Sequence, residues 1–255
     1  MKRTILILLS FSLIFVFSNF MVGSVFSSVF DVSTLDDGLD VLLTYVSVMG
    51  LVVALLVSFK GVLHLSITSL TPRVDKINLP LMLLGLLLIV VSSVAIDPIV
   101  KLMPESSLDV LYEMMGTGMW VILTGVVAAP ILEEYIFRGV LQRSLVHHAP
   151  PVVGVILSAL VFGLVHIIPQ QMIGALMAGL ILGGVFYITG SLTTVVVIHM
   201  LNNGLAYIQL LYFGSDFDLM GTLFSSQGHY WAAIVISWVV VLLFWWLGVR
   251  KIQKK

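Results

Sequence analysis

Eight stretches of this chain are almost wholly apolar over the length a membrane helix needs, and this limits the fold more than any motif does. A span takes about 20 apolar residues. The stretches run Thr4–Phe26, Leu39–Phe59, Leu79–Asp97, Thr117–Phe137, Val152–Ile168, Met172–Ile188, Leu192–Phe213 and Tyr230–Val249. Hydrophobic residues make up 60% of the chain and charged residues only 10%. A soluble domain carries about 25% charged residues to cover its surface, so here the lipid bilayer must do the covering. The expected fold is all-α: one polytopic integral membrane domain over residues 1–255, with about eight transmembrane helices. The net charge of −1 supplies no basic field for a nucleic acid. The absence of cysteine excludes disulfides, thiol nucleophiles and cysteine metal sites.

Orientation follows from where Lys and Arg fall. Lys2 and Arg3 precede the first span, and Lys60, Arg73 and Lys76 separate the second from the third. Arg138 and Arg143 follow the fourth, and Arg250, Lys251, Lys254 and Lys255 follow the last. The alternate loops are acidic, with Asp31, Asp36, Asp37 and Asp40 in one, Glu105, Asp109 and Glu113 in another, and Asp216 and Asp218 in a third. Lys101 alone breaks the alternation. Both termini are therefore expected in the cytoplasm of a multi-pass cell-membrane protein. Lys2, Arg3 and the small residues Val22-Gly23-Ser24 also fit a cleavable signal sequence. Its apolar run is long for one, and removing it would put the basic C-terminus outside.

From Ser144 to Ser215 there is no Lys, Arg, Asp or Glu, so His166, His199, Asn202, Asn203 and Gln209 stand out in the later spans. The fourth span ends in Glu133-Glu134-Tyr135-Ile136-Phe137-Arg138. Ionisable groups inside a membrane are costly, face the bundle interior and mark function by default. The plainer alternative is a polar network that joins helices. For Glu134 and Arg138, four apart on one helix face, an ion pair suffices. Glu133, about 100° around the helix, is left as the working base.

Ala149-Pro150-Pro151 breaks the chain between spans four and five, and Glu133 and His166 lie at matching distances on either side of it. In an antiparallel hairpin these two groups come level, over 20 Å from the turn at about 1.5 Å per residue. Residues 138–148 are then expected as helix projecting toward the cytosol. His199 and Asn203, four apart, share a face of the seventh span, some two to three turns from the Thr189-Gly190-Ser191 break. The four groups are expected to converge in a cavity open to the cytosol. Asn202, about 100° from Asn203, is expected as a helix–helix contact.

Glu133-Glu134-x-x-x-Arg138, Phe162-x-x-x-His166 and His199-x-x-x-Asn203, in this order on successive polar spans, resemble the three signature motifs of the CPBP intramembrane proteases. That family comprises the CAAX prenyl endopeptidases and the bacteriocin-processing or Abi proteins. The resemblance covers a protease-like core of about 117–209. It implies a glutamate-dependent endopeptidase that cuts a peptide or protein substrate at the membrane, with its active site facing the cytoplasmic side. By similarity Glu133 takes a proton from water, with His166 helping to position or protonate. His199 and Asn203 donate to the oxyanion. Glu134 and Arg138 support them, and Phe162 packs one turn before His166.

Peptide hydrolysis asks for these groups: an activated water, a proton for the leaving amine and donors for the oxyanion. No cofactor is expected. The rival chemistry is zinc held by Glu133, His166 and His199, a His₂Glu set with an open position. The absence of an H-E-x-x-H helix and the oxyanion role open to Asn203 favour the metal-free reading. His64, His147, His148 and His229 are expected to take no part in catalysis. Two readings without proteolysis are a non-catalytic immunity or scaffold protein and a transporter using the buried Glu and His groups. A transporter is expected to show paired repeats, and the sequence has none.

Overall fold

The computed structural model describes residues 1–29, 38–63, 65, 75–104, 118–214 and 218–253. His64, Arg73, Lys254, Lys255 and most of the loop acids (Asp31, Asp36, Asp37, Glu105, Asp109, Glu113 and Asp216) lie outside them. Among the described residues every regular element is a helix: α1 Lys2–Val29, α2 Leu39–Ser58, α3 Leu79–Val100, α4 at 119–148, α5 Pro151–Leu164, α6 Pro169–Thr189, α7 Leu192–Phe213, the short α8 Leu219–Leu223, and α9 Gln227–Gln253. Six of them (α1, α2, α3, α6, α7 and α9) are long and apolar enough to cross a membrane. Their outward faces are apolar: Leu13, Leu87, Val239 and Leu242 are all exposed, and lipid suits such surfaces as water does not. The chain is an all-α polytopic membrane protein.

Local sequence explains where the helices start and stop. Asn78 caps α3, its side chain accepting from the Leu81 amide at 3.1 Å, and Ser191 caps α7 through the Thr194 amide at 3.1 Å; each satisfies a donor that a helix start leaves free. Pro151 and Pro169 open α5 and α6, where a missing N–H costs nothing. Gly190 ends α6 at φ +68°, a left-handed conformation glycine adopts without strain.

α4 is one continuous helix of changing winding. It is π-helical at Ile122–Ala128, α-helical at Ala129–Glu134 and π-helical again at Tyr135–Gln142. Pro130 lies inside it, with no N–H and a ring that crowds the carbonyl four residues back. The wide turn just before it absorbs that mismatch. The stretch beyond Arg138 does not project from the bundle as the sequence suggested. Leu141, Ser144 and Leu145 are fully buried, sheathed by α1 and α5. Phe11 of α1 meets Phe137 edge-on at 5.4 Å, and the Thr4 hydroxyl donates to the His148 carbonyl.

α5 and α6 pack closest of all, through small residues. A Cβ on Gly163 would lie 2.9 Å from the Met172 carbonyl oxygen, and one on Gly179 would lie 3.3 Å from Ala159. Close backbone approach of this kind is how membrane helices gain packing without a hydrophobic drive.

At the acidic-loop end, Lys101 loses its status as an exception. Its ammonium pairs with Asp97 at 3.1 Å and Asp218 at 2.7 Å, and the Tyr230 hydroxyl donates to Asp97 at 2.6 Å. The cation is neutralised by acids of its own face, tying α3, α8 and α9 together.

Candidate active site

Glu133 and Glu134 sit on the six-residue α-helical stretch between the two π-helical ones, and their side chains diverge as the sequence implies. Glu134 is wholly buried and Arg138 is 1% exposed. Glu134 Oε1 accepts from Arg138 Nη1 at 2.8 Å and also from His199 Nδ1 at 2.9 Å. The Arg138 guanidinium lies 4.4 Å over the Phe162 ring, and its Nη2 reaches the Gly179 carbonyl at 3.4 Å. A guanidinium this deep needs its charge and hydrogen bonds matched; Glu134, Phe162 and Gly179 meet its charge and its two Nη groups, while Arg138 Nε and Glu134 Oε2 are left without a hydrogen-bond partner among the described residues.

Glu133 faces a cavity of about 490 Å³ that His166, His199, Asn202 and Asn203 also line. Its Oε2 is 3.9 Å from His199 Nε2. Its Oε1 accepts from the Tyr45 hydroxyl of α2 at 2.5 Å. The four residues assigned to chemistry from the sequence all line this one cavity, as does Phe162, and the buried Glu134–Arg138 pair touches two of the lining residues, His199 and Phe162.

The tautomers follow from what each ring faces. A carbonyl only accepts, so His166 Nδ1, 2.7 Å from the Phe162 carbonyl, carries a hydrogen and leaves Nε2 as the free atom. His199 donates through Nδ1 to the Glu134 carboxylate, which fixes its ring as carboxylates fix metal-binding and catalytic histidines. Its Nε2 is an acceptor in the neutral ring and a donor only when the ring takes a second proton. Phe162 holds both rings edge-on, His166 at 4.9 Å and His199 at 5.9 Å.

Three details depart from the sequence reading. His166 is not on the helix: α5 stops at Leu164, and His166 sits in the turn that follows. Ile167 there has φ +58°, a rare conformation for a β-branched residue, and Pro169 follows two residues later. Asn202 lines the same cavity rather than a helix contact, and its Nδ2 donates to Asn203 Oδ1 at 3.2 Å. Asn203 in turn spends one Nδ2 hydrogen on the Gly125 carbonyl at 2.8 Å, which leaves one for a ligand.

Tyr45 is the residue sequence reasoning missed. Its one signal is a phenol amid an apolar span, and nothing local reveals a partner 88 positions away. The remaining histidines within the described residues keep away from the cavity. His148 Nδ1 bonds the Ser144 carbonyl and His229 pairs with Ser225. Among the described residues no group of three or more His, Asp and Glu is arranged to hold a metal ion.

The cavity extends in one direction from Glu133. Its lining comes from the middle and later part of α3, the first half of α4, the end of α5 and the turn after it, the first half of α6, and α7 from His199 onward. Most of these portions lie in the halves of their helices nearer Lys101 and Asp218.

Residues 115–205 match the model of the Rce1-like family, described as type II CAAX prenyl endopeptidase Rce1-like. No curated protein and no solved structure matches the chain. The matched segment carries Glu133, Glu134, Arg138, Phe162, His166, His199 and Asn203. In the segment that supplies those residues, this multi-pass membrane protein is thus similar to the type II CAAX prenyl endopeptidase Rce1-like family, a family of proteases.

Proposed function

We propose that this chain is a glutamate-dependent intramembrane endopeptidase that hydrolyses a peptide bond of a membrane-associated peptide or protein. The observation that carries this reading is the division of labour between the two adjacent glutamates. Glu134 is committed to Arg138 and His199, while Glu133 keeps Oε2 free toward the cavity.

In the proposed reaction Glu133 Oε2 takes a proton from a water molecule as the oxygen attacks the scissile carbonyl carbon. The carbonyl becomes a tetrahedral oxyanion, which accepts hydrogen bonds from the remaining Asn203 Nδ2 hydrogen and from protonated His199 Nε2. The proton then passes to the amide nitrogen, the C–N bond breaks, and a carboxylic acid and an amine leave with Glu133 restored. A positioned base contributes about 10²–10⁴-fold, and each oxyanion donor about 10²–10³-fold. His166, its ring held by the Phe162 carbonyl, is assigned to orient the water or relay the proton through Nε2. The fold serves this chemistry by holding its dipoles fixed, so that they need no reorganisation as charge develops.

No metal enters the proposed steps. Comparative peptidomics of cells with and without the protein identifies the peptide whose processing disappears. The purified protein is expected to cut that peptide at an unchanged rate in strong chelator. Activity lost to chelator and restored by zinc would reassign Glu133, His166 and His199 as ligands.

A further inference from the structure

We infer that the cavity takes its substrate from the acidic-loop face of the membrane, the extracytoplasmic face under the Lys and Arg distribution, and that the substrate is an internal, largely apolar peptide segment. This deepens the peptidase reading and rests on it for the word substrate. The access route itself rests on geometry alone.

The first observation is the one-sided lining. Most lining residues lie on the acidic-loop side of the Glu133 level. Ile96 lies near the end of α3, Val126 lies before Glu133 on α4, Gln171 lies in the first turn of α6, and Tyr207 lies beyond His199 on α7. Toward the basic end the lining stops at Ile89, Phe162 and Ala178.

The second observation is what fills that opposite half. Below Glu133, toward the basic end, α4 presents Phe137, Leu141 and Leu145, each fully buried. α6 presents Ile181, Leu182 and Val185, and α7 presents Val195 and Ile198, none more than 1% exposed. Protein interiors of this kind pack like organic crystals and hold no path for a peptide. The Glu134–Arg138–His199 network lies across the same boundary, so opening a route from the basic end would also strip partners from a buried charge.

The third observation concerns charge. The lining contains Glu133, His166 and His199 but no Lys or Arg. A free chain terminus presents a carboxylate, and a phosphorylated or diphosphate group presents more charge still; neither finds a Lys or Arg here. An internal segment has no such charge. Ser92, Ser93, Asn202 and Asn203 meet its backbone amides, while Ile89, Ile96 and Val126 meet its side chains.

The chain has no cysteine, so single cysteines report access without a background. Ser93→Cys and Ala206→Cys place thiols in the cavity, Lys60→Cys marks the basic end and Ser226→Cys the acidic-loop end. The full chain in intact cells is treated with a charged, membrane-impermeant methanethiosulfonate, then compared with inverted membrane vesicles. The expected result is labelling of Ser93→Cys, Ala206→Cys and Ser226→Cys in intact cells, with Lys60→Cys labelled only in inverted vesicles. Adding Glu133→Gln should leave this pattern unchanged, because access does not depend on catalysis. Cavity thiols labelled only together with Lys60→Cys, or from neither face, would overturn the inference. So would labelling of Lys60→Cys in intact cells. Loss of peptide cleavage is read separately, so failure of the peptidase reading leaves a distinct signature.

Discussion

Tyr45 donates a 2.5 Å hydrogen bond to Glu133 Oε1, so a span that carries no motif fixes the group on which the proposed chemistry turns. With Oε1 held, the carboxylate has one orientation and Oε2 is the oxygen left to face water. A hydrogen bond to a charged group is worth about 1.5–3 kcal/mol.

Tyr45→Phe keeps the ring and removes the donor. The expected outcome is a fall in kcat of about tenfold or more, the scale of that hydrogen bond, with KM and folded yield unchanged. Steady-state kinetics on the peptide identified by peptidomics checks this. A raised KM with unchanged kcat would mean that Tyr45 touches substrate instead of orienting the base.

Glu134→Gln leaves the fully buried Arg138 without its counter-charge. Breaking a buried pair by removing one partner costs about 3–5 kcal/mol, so the thermal midpoint in detergent should fall sharply and His199 should lose its orientation. The double variant Glu134→Gln/Arg138→Met should recover much of the stability and none of the activity. Equal stability of the single variant and wild type would contradict the role given to the pair.

The α5–α6 contact admits no extra carbon at Gly163, where a Cβ would meet the Met172 carbonyl at 2.9 Å. Gly163→Ala should destabilise by about 1–3 kcal/mol through overpacking and displace the His166 turn, lowering activity beyond the stability loss. Gly50→Ala, with nothing within 4 Å of the added carbon, is the matched control and should behave as wild type. Thermal melts with a parallel cleavage assay separate the two effects.

Outside the membrane-spanning segments, Asp218 is held below the ordinary carboxylate range by its hydrogen bond from Lys101, helped by the Gly221 amide. A depressed folded pKa gives stability that is present above the unfolded value, about 3.9, and lost as pH falls through the folded one. Asp218→Asn keeps the cap on Gly221 but weakens the tie to Lys101. Its melting point should sit slightly below wild type at neutral pH and converge with it under acid, below about pH 4. A gap that stays constant into acid would remove the electrostatic account.

The class of fold was legible because membrane helices announce themselves by length and apolarity alone, and α7 begins and ends at the residues the sequence marked. The candidate site residues stood out because so few polar groups interrupt those spans. What stayed hidden depended on winding and on distant partners. The π-helical turns around Glu133 leave no periodic signal, and the stop of α5 before His166 needs the unusual backbone at Ile167. Tyr45 looks like one more aromatic in an apolar stretch until α2 is laid against α4. Counting residues from the Thr189–Ser191 break gives the depth of His199 and Asn203 but not which side of that depth is filled.

Cleavage by purified Glu133→Gln, set beside wild type at equal folded yield, tests the central claim most directly. Gln keeps the side chain's shape and can still accept from Tyr45, but it cannot take a proton from water. Loss of cleavage by at least about 10²-fold, the lower bound for a positioned base, with the thermal midpoint and membrane insertion unchanged, is the predicted result. Cleavage at the wild-type rate, or a defect confined to folding, would contradict it and leave the buried polar network without a chemical role.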